Sequence, residues 1–155
     1  MRILGVDPGT LRCGFGIIEK ASCKKLSHLS HGTIVLDAGK PVNNRLLDLA
    51  CDLSTLIEKY KPDCAVVEDV FFCKNARSAL VLGQARGVVL AVLGLNHIPT
   101  FTLSASAAKA LVSGSGRAQK FQVAHMVALQ LNIEIPKSSD ASDALSLALA
   151  QAFID

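Results

Sequence analysis

Residues 1–18, MRILGVDPGTLRCGFGII, decide the fold that we expect of this 155-residue chain. The apolar run at 3–6 is typical of a buried strand, and it ends in a carboxylate, Asp7. Pro8-Gly9-Thr10 predicts a turn, and residues 13–19 predict a second strand that runs back. A carboxylate at the end of a core strand is costly to desolvate unless a cation meets it, but aspartate also commonly begins a turn. The rest of the chain must decide between these interpretations.

Hydrophobic periodicity along the chain predicts an α/β protein with a mixed sheet. We expect strands at 3–6, 13–19, 32–36, 64–67 and 98–103, of which the first three form an antiparallel meander. We expect helices at 40–59, 75–95, 104–111 and 117–131, and a last helix from 138 or 139 to about 153. Because no linker or repeat divides the chain, the pattern predicts a single domain over residues 1–155, with helices on both faces of the sheet.

Composition argues against several classes of protein. With 50% hydrophobic and 19% charged residues, the chain is typical of a folded protein and not of a disordered one. Its five cysteines contain no C-x-x-C pair, which argues against a disulfide framework and against a structural zinc site. The first apolar run is too short for a signal peptide, and no charge-free apolar stretch has the length of a membrane span. We therefore expect a cytoplasmic protein that makes no membrane contact.

Charge is unevenly distributed along the chain. The formal net charge is only +3, yet residues 70–133 contain no Asp or Glu. The basic residues of this segment are Lys74, Arg77, Arg86, Lys109, Arg117 and Lys120. A purely basic segment predicts a polyanionic partner, although chance clustering on solvated helix faces gives the same pattern.

Three further acids can join Asp7 in one cluster. The strand at 64–67 also ends in a carboxylate, Glu68, and the carboxyl ends of central parallel strands lie side by side. Asp140 and Asp143 are three residues apart and so share a face of the last helix, although an acid there can also simply complement the helix dipole. Because clustered carboxylates repel one another and Mg²⁺ prefers oxygen ligands, the four acids predict a magnesium site. Two such ions can activate water and stabilise the leaving oxygen of a phosphodiester.

Four segments resemble the RuvC family of Holliday-junction resolvases, in that family's order and spacing. They are ILGVDPGT with the following GFGII, VVEDVFFCKNARSALVLGQARGV, SGSGRAQKFQVAHMV and SSDASDALSLALA. The most specific stretch is K-N-x-x-S-A-x-x-L-G-Q-A-R-G at 74–87. The resemblance covers nearly the whole chain and implies a ribonuclease-H-like fold, which is a five-stranded mixed sheet with helices on both faces.

The resemblance also implies an activity, partners and residue roles. It implies a homodimer that resolves four-way junction DNA in recombination and repair, by paired nicks in two like strands. It further implies two Mg²⁺ ions per subunit, with Mn²⁺ as a substitute, and association with the RuvA–RuvB motor. The catalytic and metal-binding acids fall on Asp7, Glu68, Asp140 and Asp143. The basic pair near the scissile phosphate falls on Lys109 and Lys120, and the aromatic at the junction centre on Phe71. Lys74, Arg77 and Arg117 are expected to contact DNA as well.

This chain departs from many relatives at two positions, and other functions stay open. Asp69 stands where many relatives have Gln and Phe15 where they have Tyr, so Asp69 adds a negative charge beside the catalytic glutamate. One alternative is a ribonuclease-H-like nuclease that acts on another branched or hybrid nucleic acid, and a second is a non-catalytic junction-binding protein. The D-P-G-T turn also resembles the phosphate loop of sugar kinases and actin-like ATPases, but those proteins need a second similar domain.

Overall fold

The computed structural model describes residues 1–22, 25–69 and 76–154, apart from the side chain of Arg77. In this part of the chain the strands are β1 (Arg2–Asp7), β2 (Arg12–Ser22), β3 (Lys25–Val35), β4 (Cys64–Asp69) and β5 (Thr100–Ser104). The helices are α1 (Val42–Tyr60), α2 (Ala76–Leu95), α3 (Ala105–Ser113), α4 (Lys120–Leu131) and α5 (Ser139–Ile154). The expected α/β element order is confirmed.

The strands form one mixed sheet in the order β3-β2-β1-β4-β5. β1, β2 and β3 are the expected antiparallel meander, whereas β4 runs parallel to both β1 and β5. Alternate strand residues point to opposite faces, so each face carries its own apolar cluster. The cluster around Leu4 and Val67 packs against α1 and α2, and the cluster around Ile3 and Val66 packs against α3, α4 and α5. The sheet is therefore a rigid middle layer between two layers of helices.

The two element starts that differ most from the sequence prediction do so for local reasons. β3 begins at Lys25 and not at residue 32, because the polar segment 25–31 pairs with β2 although it shows little hydrophobic alternation. α4 begins at Lys120 and not at residue 117, because Gln119 lies at the N-cap and its backbone N–H donates to Gln122 Oε1 at 2.8 Å. Side-chain capping of this kind fixes where a helix starts.

Glycines on β1 and β2 let α5 lie directly on the sheet. A Cβ on Gly5 would collide with the backbone carbonyl of Ala144, and a Cβ on Gly16 would lie 2.7 Å from Leu145 Cγ. These two glycines are opposite each other in the β1–β2 register. Because Gly5 and Gly16 have no side chains, α5 packs directly on the backbone of β1 and β2. We call these two residues the glycine seat, and they fix the height and position of α5 above the sheet.

α2 is the most apolar helix of the structure. Its segment Ser78–Leu95 is long and apolar enough, by length and composition alone, to cross a membrane, with a mean hydropathy of 1.7. The segment contains Arg86, whose Nε donates to the backbone carbonyl of Glu68 at 3.1 Å. One face of α2 packs on the sheet through Ala85, Val89 and Leu93. These contacts make α2 part of the folded layer, yet much of its remaining surface is exposed and apolar.

Candidate active site

Asp7 and Glu68 lie side by side at the carboxyl ends of β1 and β4. These strands pair in parallel with Val6 opposite Val67, so the acids that follow are neighbours. Both point toward α5, because each lies on the same face of its strand as a residue of the α5-side cluster, Ile3 or Val66. The sequence predicted this meeting of two strand ends, and the strand pairing brings it about.

α5 brings Asp140 and Asp143 to the same end of the sheet. Asp140 lies in the first turn of the helix, and Asp143 follows on the same face. Each is held by a cationic side chain: Arg12 Nε donates to Asp140 Oδ2 and Lys120 Nζ donates to Asp143 Oδ2, both at 2.7 Å. The glycine seat under α5 therefore positions two carboxylates above Asp7 and Glu68.

The surroundings of Asp7 strongly favour its protonated form. Burial, a hydrogen bond with Glu68 and the negative charges of Glu68, Asp143 and Asp140 together raise the pKa of Asp7 from 3.8 to about 8. Desolvation and like charges both disfavour a carboxylate, so each contribution has the expected sign. A cation placed among these groups would reverse the effect, because opposite charge stabilises the ionised form.

The donor set fits a hard divalent cation, although it is not closed around one. All four groups are carboxylates, and their oxygens are the ligands that Mg²⁺ and Mn²⁺ take. Within the described residues, no three acidic, histidine or cysteine side chains are arranged as a ready metal site. Arg12 and Lys120 form ion pairs with Asp140 and Asp143. The residues fit a metal that would have to compete with these two ion pairs.

The two lysines predicted near the scissile phosphate differ in their contacts. Lys120 is at the start of α4, and its hydrogen bond to Asp143 raises the pKa of the ammonium group. Lys109 is partly buried on α3 and forms no ion pair with any acid of the described chain. Of the predicted pair, only Lys120 is in direct contact with the acids.

Only some of the other residues that we expect to contact DNA lie within the described part of the chain. Phe71 and Lys74 lie outside the described residues, as does the side chain of Arg77. Arg117 is exposed in the turn before α4, where its backbone N–H donates to Ser115 Oγ at 3.3 Å. It lines a cavity together with Phe121 and His125.

Asp69 does not join the acid cluster. It follows Glu68 on β4 and so points to the opposite face of the sheet, where it lies 3.6 Å from Arg86 Nη2. Because Arg86 offsets its charge on the α2 side, Asp69 does not add to the repulsion around Asp7. The glutamate and the aspartate that follows it therefore lie in different environments.

Arg12 and a pair of hydroxyl groups are site residues that sequence reasoning missed. Arg12 holds Asp140 from the start of β2, and Ser138 Oγ donates to the same Asp140 oxygen at 3.4 Å. Thr33 Oγ1 in turn lies 2.7 Å from Ser138 Oγ. The available signal was the position of Arg12, which is only five residues from Asp7 on the returning strand of a hairpin.

Comparisons with known proteins agree on one family. The family described as "Crossover junction endodeoxyribonuclease RuvC" matches residues 3–151. Curated proteins of that name from Ralstonia pickettii and Chloroflexus aggregans are 43% and 42% identical to the chain. The matches cover 98% and 99% of this chain, and 83% and 93% of the respective relatives.

Solved structures show the same likeness at the level of the fold. Thermus thermophilus RuvC in complex with a Holliday junction substrate matches with a TM-score of 0.94 and 28% identity, over 99% of this chain and 94% of that one. The yeast mitochondrial Holliday junction resolvase Ydc2 matches with a TM-score of 0.71 at 14% identity, over 97% of this chain and 77% of that one, which shows a shared fold alone. The ribonuclease-H-like architecture expected from the sequence is thereby confirmed.

Proposed function

Because this chain belongs to the RuvC family of crossover junction endodeoxyribonucleases, we propose that it resolves four-way DNA junctions in recombination and repair. It does so by paired nicks in two like strands. The observation that carries the proposal is the meeting of Asp7 and Glu68 with the two acids of α5, in a chain that matches a RuvC bound to a Holliday junction. Membership of this nuclease family implies dependence on a divalent metal.

We propose Mg²⁺ as that metal, with two ions per subunit and Mn²⁺ as a substitute. When bound, the metal supplies Lewis-acid stabilisation of the phosphate oxygens and activation of a water molecule. Asp7, which lies near the other three carboxylates, would hold the ions together with Glu68, Asp140 and Asp143. The products of such hydrolysis carry a 5′-phosphate and a 3′-hydroxyl.

The cationic side chains around the acids serve the DNA phosphates. We propose that Lys120 moves from Asp143 to the scissile phosphate and, with Lys109, neutralises charge that develops there. Lys74, Arg77 and Arg117 contact the DNA backbone, and Phe71 contacts the junction centre. Charges of this kind give affinity without reading sequence, which suits an enzyme that selects a branched shape.

We propose that α2 forms the interface of a homodimer. Leu80 and Leu95 are 70% and 79% exposed on this helix, so the rest of the described chain leaves its apolar surface uncovered. A Cβ added at Gly83 or Gly87 would meet no atom within 4 Å, so another backbone can approach closely at both positions. A two-fold dimer presents two identical sites to a substrate that is itself roughly two-fold. Each site can then nick one of two like strands.

The cellular setting is proposed from the same family relation. We place the protein in the cytoplasm, with residues 1–155 as one nuclease domain. The RuvA–RuvB branch-migration motor is the proposed partner on junction DNA.

A panel of substrates tests the proposed function. The protein is incubated with Mg²⁺ and end-labelled four-way junction, linear duplex or RNA–DNA hybrid of matched sequence. We expect symmetric nicks in the junction and little cleavage of the other two substrates. Preferred cleavage of the hybrid would favour a different ribonuclease-H-like activity, and tight junction binding without cleavage in any divalent metal would favour a non-catalytic binding protein.

A further inference from the structure

Phe121 is an aromatic side chain beside the active site that plays no part in the core. It lies on the first turn of α4 and is 67% exposed, whereas Val123 and Val127 of the same helix are buried. Its neighbour Lys120 is the residue that pairs with Asp143. An exposed aromatic face next to Lys120 is available for a ligand to stack on.

Phe121 lines two cavities, and one of them also contains an acid of the cluster. A cavity of about 220 Å³ contains Asp143, Lys120, Lys137 and Phe121. A second cavity of about 800 Å³ shares Phe121 with the first and is lined along α4 as far as Met126. Phe121 and Ala124 line both cavities, so the lining residues run from Asp143 to the α3–α4 turn, and we call the larger cavity the α4 groove.

The chemistry of the α4 groove fits a nucleotide. Its apolar surface comes from Phe121, Met126 and Ile135, while Arg117 and His125 supply polar groups. Among the described residues that line it there is no acid. Its volume is within the range of sites that hold small ligands. An apolar face for a base, next to cations for phosphates, is the combination that proteins use to hold single-stranded nucleic acid.

We propose that the α4 groove holds an unpaired base of the strand that is cut, stacked on Phe121, with Arg117 on an adjoining phosphate. The proposal rests on the proposed function, because it assigns a position to nucleotides next to the scissile phosphate. It adds a second aromatic contact with DNA to the one that the family resemblance predicts for Phe71. A base drawn out of the junction in this way fixes the register of the strand over the acids.

The absence of tryptophan from the chain permits a direct test. A Phe121→Trp variant carries a single tryptophan, whose emission is recorded while a fluorescein-labelled junction is bound in EDTA, so that no cleavage occurs. We expect most of the emission to be lost on binding, because a stacked base quenches tryptophan. An abasic nucleotide at the stacked position should restore the emission, and abasic nucleotides elsewhere should not.

A matched variant and an affinity series complete the experiment. Phe153→Trp also replaces an exposed aromatic, 44% exposed near the far end of α5, and should keep its emission on the bound junction. Phe121→Ala should weaken junction binding about tenfold, and Phe121→Tyr should restore it, since one stacked base contributes enough for this change. Unchanged Phe121→Trp emission on a bound junction overturns the proposal that a base stacks on Phe121. This result would leave the proposed junction-cleaving function untouched. If the unaltered chain does not bind the junction, the proposed function fails as well.

Discussion

Asp7 ends a buried strand, and its environment explains why a carboxylate is found there. The strand places it beside Glu68, and α5 adds the charges of Asp140 and Asp143. The interpretation of Asp7 as only the first residue of a turn does not explain why three other acids lie near it. The raised pKa is the measurable consequence of this arrangement in the absence of metal.

The first prediction concerns the metal-free stability of Asp7→Asn. Because the pKa of Asp7 in the folded protein is about 8 and its ordinary value is 3.8, the folded state retains a proton that the unfolded chain releases. The stability that this proton provides is complete below about pH 4 and is lost as the pH rises through about 8. Replacing Asp7 by neutral Asn should stabilise the protein at pH 8 by roughly 1–3 kcal/mol and flatten this pH dependence. Urea unfolding in EDTA from pH 4 to 9 measures both effects.

Asp69→Asn is the matched control for this prediction. Asp69 is the next residue after Glu68 but pairs with Arg86 on the opposite face. Its replacement should leave the decline in stability between pH 4 and 8 in place. Equal pH profiles for Asp7→Asn and the unaltered protein would mean that Asp7 does not sit among like charges.

A second prediction concerns Lys120. Lys120→Gln should lower the rate of junction cleavage by about 10²-fold, as expected when one group that stabilises transition-state charge is removed. Lys120→Arg should retain part of the activity because it keeps the charge. Single-turnover cleavage with saturating Mg²⁺ measures the rates, with Lys25→Gln on the exposed start of β3 as control. A Lys120→Gln rate close to that of the control would remove Lys120 from the mechanism.

At the scale of elements, the contact between α5 and the sheet fixes the site. α5 is buried along most of its length, and it carries two of the four acids. Its height above β1 and β2 depends on the glycine seat and not on a flexible loop. Catalytic groups held on a rigid helix and a rigid sheet keep the precise spacing that catalysis needs.

The third prediction tests the glycine seat. Gly5→Ala should destabilise the protein by about 3 kcal/mol, because the added methyl group meets the carbonyl of Ala144 in a tightly packed region. Gly94→Ala on α2 has open space around it and should stabilise the protein by up to about 1 kcal/mol, as alanine does in a helix. Urea titrations of both variants measure the difference. Equal effects of the two substitutions would show that α5 does not rest on Gly5.

The sequence predicts the elements well where the hydrophobic periodicity is strong. It predicts them less well where contacts between distant residues determine the structure. The strand ends of β1 and β4 and the three-residue spacing of Asp140 and Asp143 follow from local sequence patterns. The ion pair of Arg12 with Asp140 joins residues 128 positions apart, so the local pattern indicates that Arg12 lies near Asp7 but does not identify its partner. The glycines of β2 predict a turn or a bulge as readily as a seat for a helix, and only the packing of α5 distinguishes these roles.

At the scale of the whole molecule, the fourth prediction concerns the assembly of two subunits through the exposed apolar face of α2. Leu80→Glu should convert the proposed dimer into monomers, because a charge cannot be buried unpaired in an apolar interface. Leu47→Glu on α1, where the leucine is 61% exposed, should leave the assembly unchanged. Sedimentation velocity measures the assembly, and a monomeric unaltered protein would contradict the interface. Nicks by the Leu80→Glu monomer should fall on the two strands independently and not in pairs.

We propose as the main conclusion that Asp7, Glu68, Asp140 and Asp143 hold the metal that the protein needs in order to cut a four-way junction. Its most direct test measures paired nicking of a supercoiled plasmid that carries an extruded cruciform, with Mg²⁺, by the unaltered protein and by Asp7→Asn. We predict linear plasmid from the unaltered protein, and neither linear nor nicked plasmid above background from Asp7→Asn although it still binds the junction. Undiminished linearisation by Asp7→Asn would contradict it.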